Sequence, residues 1–356
     1  MTRVFIIAEA GVNHDGSIDD ARRMIDVAAD AGADAVKFQT FRTDQLVTKR
    51  AAKAAYQVAN TGEDGGQMEM LRRLELGHSD HAMLADHCRT RGVRFMSTAF
   101  DMDSLTLLAG LDMPAVKIPS GDITWGPMLL ASARVGRPLI VSTGMADLDD
   151  IRDALSVIAF GLTQDGLPGG RDDLAAAFAS EAGQAALRQR VTLLHCTTQY
   201  PAPLHAVNLR AMDVMAETFG LPVGYSDHTL GITVAIAAVA LGAVVIEKHF
   251  TLDRTRPGPD HAASLEPEEL AAMVRGIREV ETALGKPEKA PTPEEAGNRP
   301  IARRSLVAAR AIAVGEVLTA DMMTAKRPAD GRSPMDVWGL VGTTATRVYE
   351  ADEAIE

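Results

Sequence analysis

GYSDHTLGITVAIAAVALGAVVIEKHFTLDRTRPGPD, residues 224–260, holds two short strand-like pieces that each end in histidine, SDH at His228 and EKH at His249. A helix-like run of small residues lies between them. Apolar alternation over 244–247 and the VALGAVVIE punctuation describe a helix returning into a strand, so both histidines are expected at the same ends of neighbouring parallel strands. In a parallel barrel, metal and active sites gather at that end.

The same unit recurs along the chain: a short β-branched run, a polar or glycine-containing stop, then an alanine-rich amphipathic helix. Strands are predicted over 4–8, 35–39, 94–98, 115–119, 139–143, 191–196, 222–226 and 244–249. Residues 17–31 (SIDDARRMIDVAADA) read as a helix, with Ser17 as N-cap, Asp19 and Asp20 in its first turn and Gly32 beyond its end. Strands alternating with helices imply a parallel α/β sheet, and eight of them suggest closure into a (β/α)8 TIM barrel. An open doubly wound sheet is the alternative, because strand order is not readable from periodicity. A barrel takes about 250 residues, so a chain of 356 leaves room for a small module. The barrel is expected over 1–284, closed by a helix at 266–284. A proline-rich extended linker follows at 285–302, and then a small β-rich module over 303–356, with strand-like runs SLVAARAI and TRVYE and a short helical piece near 319–323.

Two connections are long. Residues 41–92 carry a polar insertion, a candidate lid over the barrel mouth, and residues 144–190 include the glycine- and aspartate-rich TQDGLPGGRDD. The net charge of −12 argues against a nucleic-acid partner, and no basic stretch is interleaved with aromatics. The two cysteines, Cys88 and Cys196, make no disulfide framework and fit a reducing cytoplasm. The start, MTRVFIIAEAG, has no signal-peptide pattern, and no run is long enough to span a membrane, so no membrane partner is expected.

The predicted strand ends carry polar residues that a strand interior could not hide. They are Glu9, Asn13 and His14; Lys37 and Gln39; Ser97 and Thr98; Lys117 and Ser120; Ser142 and Thr143; His195 and Thr198; Ser226 and His228; and Glu247, Lys248 and His249. Taken singly each has a bland reading: a hydrogen-bonded structural histidine, a lysine in a rim ion pair, a hydroxyl capping a helix. Jointly, two lysines with several hydroxyls suit an oxyanion or phosphate, and two histidines suit a divalent metal such as Mn²⁺, Zn²⁺ or Fe²⁺ with open positions. The pattern points to metal-assisted chemistry on a phosphorylated small molecule. The STGM stretch, 142–145, could cradle an anion, whereas Cys196 reads as a buried small residue rather than a nucleophile.

Several motifs together resemble the bacterial sialic acid synthases, whose wider group makes neuraminic, legionaminic and pseudaminic acids. They are AEAGVNHDGS (8–17), VKFQTF (36–41), FMSTAFD (95–101), KIPSGD (117–122), STGM, LLHCTTQYPAP (193–203), GYSDHT (224–229), EKHFTLD (247–253) and RPGPDH (256–261). The tail, with KRPADG (326–331), resembles their antifreeze-like SAF domain. The resemblance implies an enzyme that condenses phosphoenolpyruvate with the open-chain aldehyde of an N-acetylated amino hexose, giving a nine-carbon 2-keto acid and phosphate. It implies that His228 and His249 bind a divalent metal, Mn²⁺ first with Mg²⁺ or Co²⁺ as substitutes, and that Glu9 holds a water beside it. Lys37, Lys117, Ser120, Ser142 and Ser226 would hold phosphate, with Thr98 near the carboxylate of phosphoenolpyruvate. Gln39, Tyr200 and Asp260 would face the sugar. Arg327 would reach sugar bound in the other chain of a domain-swapped homodimer. Two positions depart from the pattern: Thr198 stands where neuraminate synthases often have asparagine, and Asp122 where the family usually has glutamate. Thr198 reshapes the phosphate contact, and the CTTQYPAP form looks more like the diacetyllegionaminate branch. Asp122 is one methylene shorter on the sugar side. Neuraminate and diacetyllegionaminate are the two expected products, the second favoured. The alternatives are a phosphoenolpyruvate–aldose barrel of the sugar-phosphate type and a carbohydrate-binding protein without activity.

Overall fold

The computed structural model describes residues 3–62 and 65–356. Eight strands, β1 (Phe5–Gly11), β2 (Ala35–Thr40), β3 (Arg94–Ala99), β4 (Val116–Ile118), β5 (Leu139–Ser142), β6 (Val191–Cys196), β7 (Val223–Asp227) and β8 (Val245–His249), pair in sequence order into a closed parallel barrel, β8 returning to β1. Closure excludes the open doubly wound sheet. All eight predicted strands are present, displaced by at most a few residues at their ends.

Side-chain alternation divides each strand between two cores. Ile6, Val36, Phe95, Val116, Val141, Leu193, Tyr225 and Ile246 point outward and pack beneath the helices. Ile7, Ala35, Met96, Ala115, Ile140, Leu194 and Val245 point inward and fill the barrel floor. Gly224 belongs to this inner layer because a Cβ there would lie 2.4 Å from the Val245 carbonyl oxygen and 2.7 Å from Leu194 Cδ2. The next inward positions toward the strand C-termini are polar, and they make the site.

The first helix, Ile18–Asp30, starts as expected: Ser17 Oγ accepts from the Asp20 amide at 3.2 Å, and Gly32 beyond its end has φ +79°. The closing helix runs over Pro267–Leu284. The two long connections are more helical than their composition suggested. Residues 41–92 contain helices Thr43–Leu46, Ala55–Thr61, Gln67–Leu74 and His78–Arg91. Their apolar positions Met70 and Leu74 pack with Val12 and Phe41 into a separate small cluster, which orders a segment of polar composition. Residues 144–190 contain Leu148–Thr163, capped by Asp147, then Arg171–Ala179 and Glu181–Arg190.

The chain divides into two compact units, Met1–Gly285 and Lys286–Glu356. Within the stretch read as an extended linker lie two single helical turns, Pro293–Ala296 and Arg299–Ala302, because proline near a helix start is pre-set for helical φ. The second unit is built on the antiparallel pair β9 (Ser305–Ala308) and β10 (Met323–Lys326), with a core that includes Leu306, Ile312, Leu318, Met322, Tyr349 and Ile355. Among the described residues, no helix is long and apolar enough to cross a membrane.

Candidate active site

The inward polar positions converge on a cavity of 390 Å³ at the C-terminal mouth of the barrel. Its floor is a chain of ion pairs and hydroxyls. Lys37 Nζ lies 2.7 Å from Glu9 Oε2, 3.0 Å from Thr98 Oγ1 and 3.6 Å from Glu247 Oε2. Lys117 Nζ donates to Ser142 Oγ at 2.7 Å and lies 3.6 Å from Glu247 Oε1. Ser226 Oγ donates to that same oxygen at 2.8 Å. One carboxylate, Glu247, therefore serves both lysines and a serine.

The electrostatics follow from this arrangement. Burial pushes Glu247 upward, but Lys117 and Lys37 outweigh it and hold the carboxyl at about 2. Burial raises Glu9 to about 7, opposed by Lys37 and reinforced by the negative Glu247. Lys37 is held above the usual lysine value because Glu247 and Glu9 overcome its burial, whereas burial dominates at Lys117 and lowers it. The floor thus holds one firmly ionised acid and one acid poised near neutrality, between two buried lysines.

One side of the floor is a cradle. Ser120 Oγ accepts from the Gly144 amide at 3.0 Å and lies 3.2 Å from Cys196 Sγ, while Thr198 Oγ1 is buried without a partner. A Cβ on Gly144 would lie 2.3 Å from Thr198 Oγ1 and 2.9 Å from Ser120 Oγ, so only glycine lets these hydroxyls meet the backbone. Cys196 forms part of this wall; burial raises its thiol above the usual value, which keeps it neutral.

The two histidines face each other at a ring-centroid separation of 5.6 Å. His228 Nδ1 donates to the Thr197 carbonyl at 2.7 Å, which leaves Nε2 as a lone pair, 3.4 Å from Ser226 Oγ. His249 Nδ1 is buried without a hydrogen-bond partner, 4.0 Å from Asp260 Oδ2. Burial holds His228 below and His249 well below the ordinary imidazole value. Both are therefore neutral, the form that binds metal. Tyr200 packs on the pair, 4.1 Å from His228 and 5.7 Å from His249 between ring centroids. Among the described residues no three His, Cys, Asp or Glu side chains form a closed metal cage. Two imidazoles with the remaining positions open suit an ion that also takes substrate oxygens.

Of the residues singled out from the sequence, Glu9, Lys37, Gln39, Thr98, Lys117, Ser120, Ser142, Thr198, Tyr200, Ser226, His228, His249 and Asp260 all line this cavity. Asp122 does not: it sits one residue beyond the lining Gly121, with Oδ2 buried and unpartnered. Arg327 is exposed in the second unit. The other strand-end residues have structural partners: Thr40 and Ser97 hydroxyls meet at 2.7 Å, Thr143 donates to the Leu194 carbonyl, His195 pairs with the Val207 carbonyl, and Asn13 holds Phe250 and Ser264. Sequence reasoning passed over Glu247 as a site residue, although it stands two positions before His249 and so must face the same way. It also passed over Tyr56 and Gln57, which the insertion brings to the cavity wall. The Tyr56 ring lies 5.1 Å from that of Tyr200, and Asn60 Nδ2 donates to the Pro259 carbonyl at 2.8 Å, fastening the insertion to the mouth.

Comparison with known proteins agrees with this geometry. The NeuB family model matches residues 24–289, and the SAF domain model matches residues 303–356. This chain belongs to the NeuB family. It is 45% identical to N,N'-diacetyllegionaminic acid synthase of Campylobacter jejuni over 100% of this chain and 99% of that protein. It is 44% identical to the N,N'-diacetyllegionaminic acid synthase of Legionella pneumophila, over 95% of this chain and 89% of that one. The crystal structure of an N-acetylneuraminic acid synthetase from Leptospira borgpetersenii superposes with a TM-score of 0.67 at 32% identity, covering 83% of this chain and 90% of that chain. This member of the NeuB family is an enzyme, a nonulosonate synthase that condenses phosphoenolpyruvate with an amino sugar. The reading as a carbohydrate-binding protein without activity is set aside.

Proposed function

We propose that this synthase condenses phosphoenolpyruvate with 2,4-diacetamido-2,4,6-trideoxymannose to give N,N'-diacetyllegionaminate and phosphate. The observation that carries the reading is the pair of buried lysines sharing Glu247 at the floor of a cavity whose upper wall is largely apolar. Lys37 and Lys117, with Ser142, Ser226, Ser120 and Thr198, offer charge and directional donors to the phosphate and carboxylate of phosphoenolpyruvate. Above them Val12, Val47, Met70, Leu74 and Phe100 suit a sugar that carries a methyl group and a second acetamido group. The two full-length relatives named for diacetyllegionaminic acid support the same product.

In the reaction, C3 of phosphoenolpyruvate bonds to the aldehyde carbon, and the aldehyde oxygen takes up a proton. Water adds to C2, losing a proton, and collapse of that adduct expels phosphate and leaves the 2-keto acid. The lysines, both buried at the cavity floor, stabilise the leaving group where little water screens their charge. Glu9, raised to about 7 and register partner of His249, exchanges protons with the water and the new hydroxyl. Gln39, Tyr200 and Asp260 orient the sugar. The neutral His228 and the unpartnered nitrogen of His249 fit a divalent ion, Mn²⁺ by preference with Mg²⁺ or Co²⁺ as substitutes. Such an ion would supply Lewis acidity at the aldehyde. We further read the working form as a domain-swapped homodimer in the cytoplasm, with Arg327 of each tail reaching the sugar bound in the other copy. Two buried free cysteines suit that compartment.

A sugar-phosphate substrate is less well served: among the described residues lining the cavity, the lysines are Lys37 and Lys117, both already at the floor, and there is no arginine. The test is phosphate release from phosphoenolpyruvate with Mn²⁺, comparing the diacetamido sugar with N-acetylmannosamine, with and without chelator. Chelator-sensitive turnover of the diacetamido sugar supports the reading. Preference for N-acetylmannosamine makes the product neuraminate, and turnover that ignores chelator removes the metal.

A further inference from the structure

Asp227 and Lys248 form an ion pair with both side chains fully buried, Nζ to Oδ2 2.9 Å. The pair faces away from the cavity. Asp227 and Lys248 are direct register partners on β7 and β8, one step beyond the Ser226–Glu247 rung that points inward. The residues that follow them are His228 and His249. The pair is knotted further: Asp227 Oδ1 accepts from the Thr229 amide at 2.9 Å, and Lys248 Nζ donates to the Thr229 carbonyl. Lys248 therefore grips the chain on both sides of His228 while its own backbone continues into His249.

A fully buried ion pair is seldom worth more to stability than well-packed apolar residues of the same volume, since desolvation offsets the attraction. Elsewhere in the barrel the outward layer is mostly apolar, as at Val36, Ile118 and Val141, and its polar members, Thr40 with Ser97, Thr143 and His195, bond as hydroxyls and an imidazole rather than as an ion pair. What charge adds here is direction and distance, which apolar contacts do not specify.

We propose that the Asp227–Lys248 pair is a positioning device that sets the spacing and orientation of the His228 and His249 imidazoles, and thereby the affinity of the site for a divalent ion. This rests on the metal reading above. The carbonyl of Thr197 fixes the His228 ring from one side, and the ion pair fixes the backbone that carries it from the other.

The test uses the full chain carrying Asp227→Asn together with Lys248→Met. This removes both charges at similar volume and keeps an oxygen for the Thr229 amide. Mn²⁺ binding is titrated by electron paramagnetic resonance and calorimetry, with thermal unfolding measured in parallel and His249→Ala as the control. Loss of an outer partner typically weakens a metal site by about 10- to 100-fold, and that loss is expected here with a melting temperature close to that of the unmodified enzyme. Activity should return at high Mn²⁺. Should the double variant fail to fold, Lys248→Arg keeps the charge while changing the reach of the head group, and weaker Mn²⁺ binding is again expected. A folded variant that binds Mn²⁺ within twofold of the unmodified enzyme, while His249→Ala does not bind, overturns the positioning role alone. If the unmodified enzyme and His249→Ala bind Mn²⁺ equally, the metal reading and this inference fall together.

Discussion

Asp122 and Asp260 are both carboxyls that burial raises to about 6, but they keep different company. Asp260 lines the cavity, where substrate can meet it, whereas Asp122 has a buried oxygen with no partner. Because the unfolded chain holds this acid at its ordinary 3.8, the folded protein binds more protons between about pH 4 and 6. Stability linked to the neutral form is therefore present at low pH and lost as pH rises through that window. Asp122→Asn, neutral throughout, should match the unmodified protein at pH 4 and exceed it at pH 7.5 in urea-unfolding midpoint. A lower midpoint at pH 7.5 would show that the carboxylate has a partner. At this scale the sequence displayed the strand-end side chains but not their ranking: Glu247 stood among them without a role, and the insertion's Tyr56 and Gln57 were passed over. Lys37, Lys117 and Lys248 look alike as strand-end lysines. The alternation that turns Glu247 and His249 to one face turns Lys248 to the other, and the paired register shows the first two lysines at the cavity and the third toward the helices.

Between elements, the strands were readable because each is a short β-branched run with a helix after it, and eight repetitions leave few topologies. The insertion over 41–92 was not readable in the same way. Its short helices persist because Met70 and Leu74 find Val12 and Phe41, contacts distant in sequence that local propensity does not encode. The turn after β5 is the reverse case: STGM reads as a stretch that could cradle an anion, a role that belongs to the proposed function, and the geometry explains why its third residue is glycine. Gly144→Ala would drive a methyl into Thr198 Oγ1 and Ser120 Oγ. The Michaelis constant for phosphoenolpyruvate should rise by about tenfold or more, as small displacements of positioned groups do, with far-ultraviolet circular dichroism unchanged. An unaltered constant would place the phosphate elsewhere in the cavity.

For the whole molecule, the proposed domain-swapped dimer makes a prediction that neither unit makes alone. His249→Ala spoils the barrel site and Arg327→Ala spoils the tail. If each tail serves the other copy, mixing and re-equilibrating the two variants creates mixed dimers with one intact site. About one site in four should then regain full turnover at low sugar concentration, from random pairing of subunits. If the tail serves its own barrel, mixing restores nothing, and phosphate release distinguishes the two.

The inward–outward alternation of the strands, interrupted in β1 only by the register shift between Glu9 and Gly11 among the described pairs, has a further consequence, for how such an enzyme can change. It acts as a reading frame of period two. Deleting one residue ahead of β8 would turn Lys248 to the cavity and both Glu247 and His249 to the helices, exchanging chemistry and core at a stroke. Gains and losses of residues in the connections over 41–92 and 144–190 leave that frame intact. Divergence in substrate therefore has its free length in the connections, while the strands are confined to substitution in place.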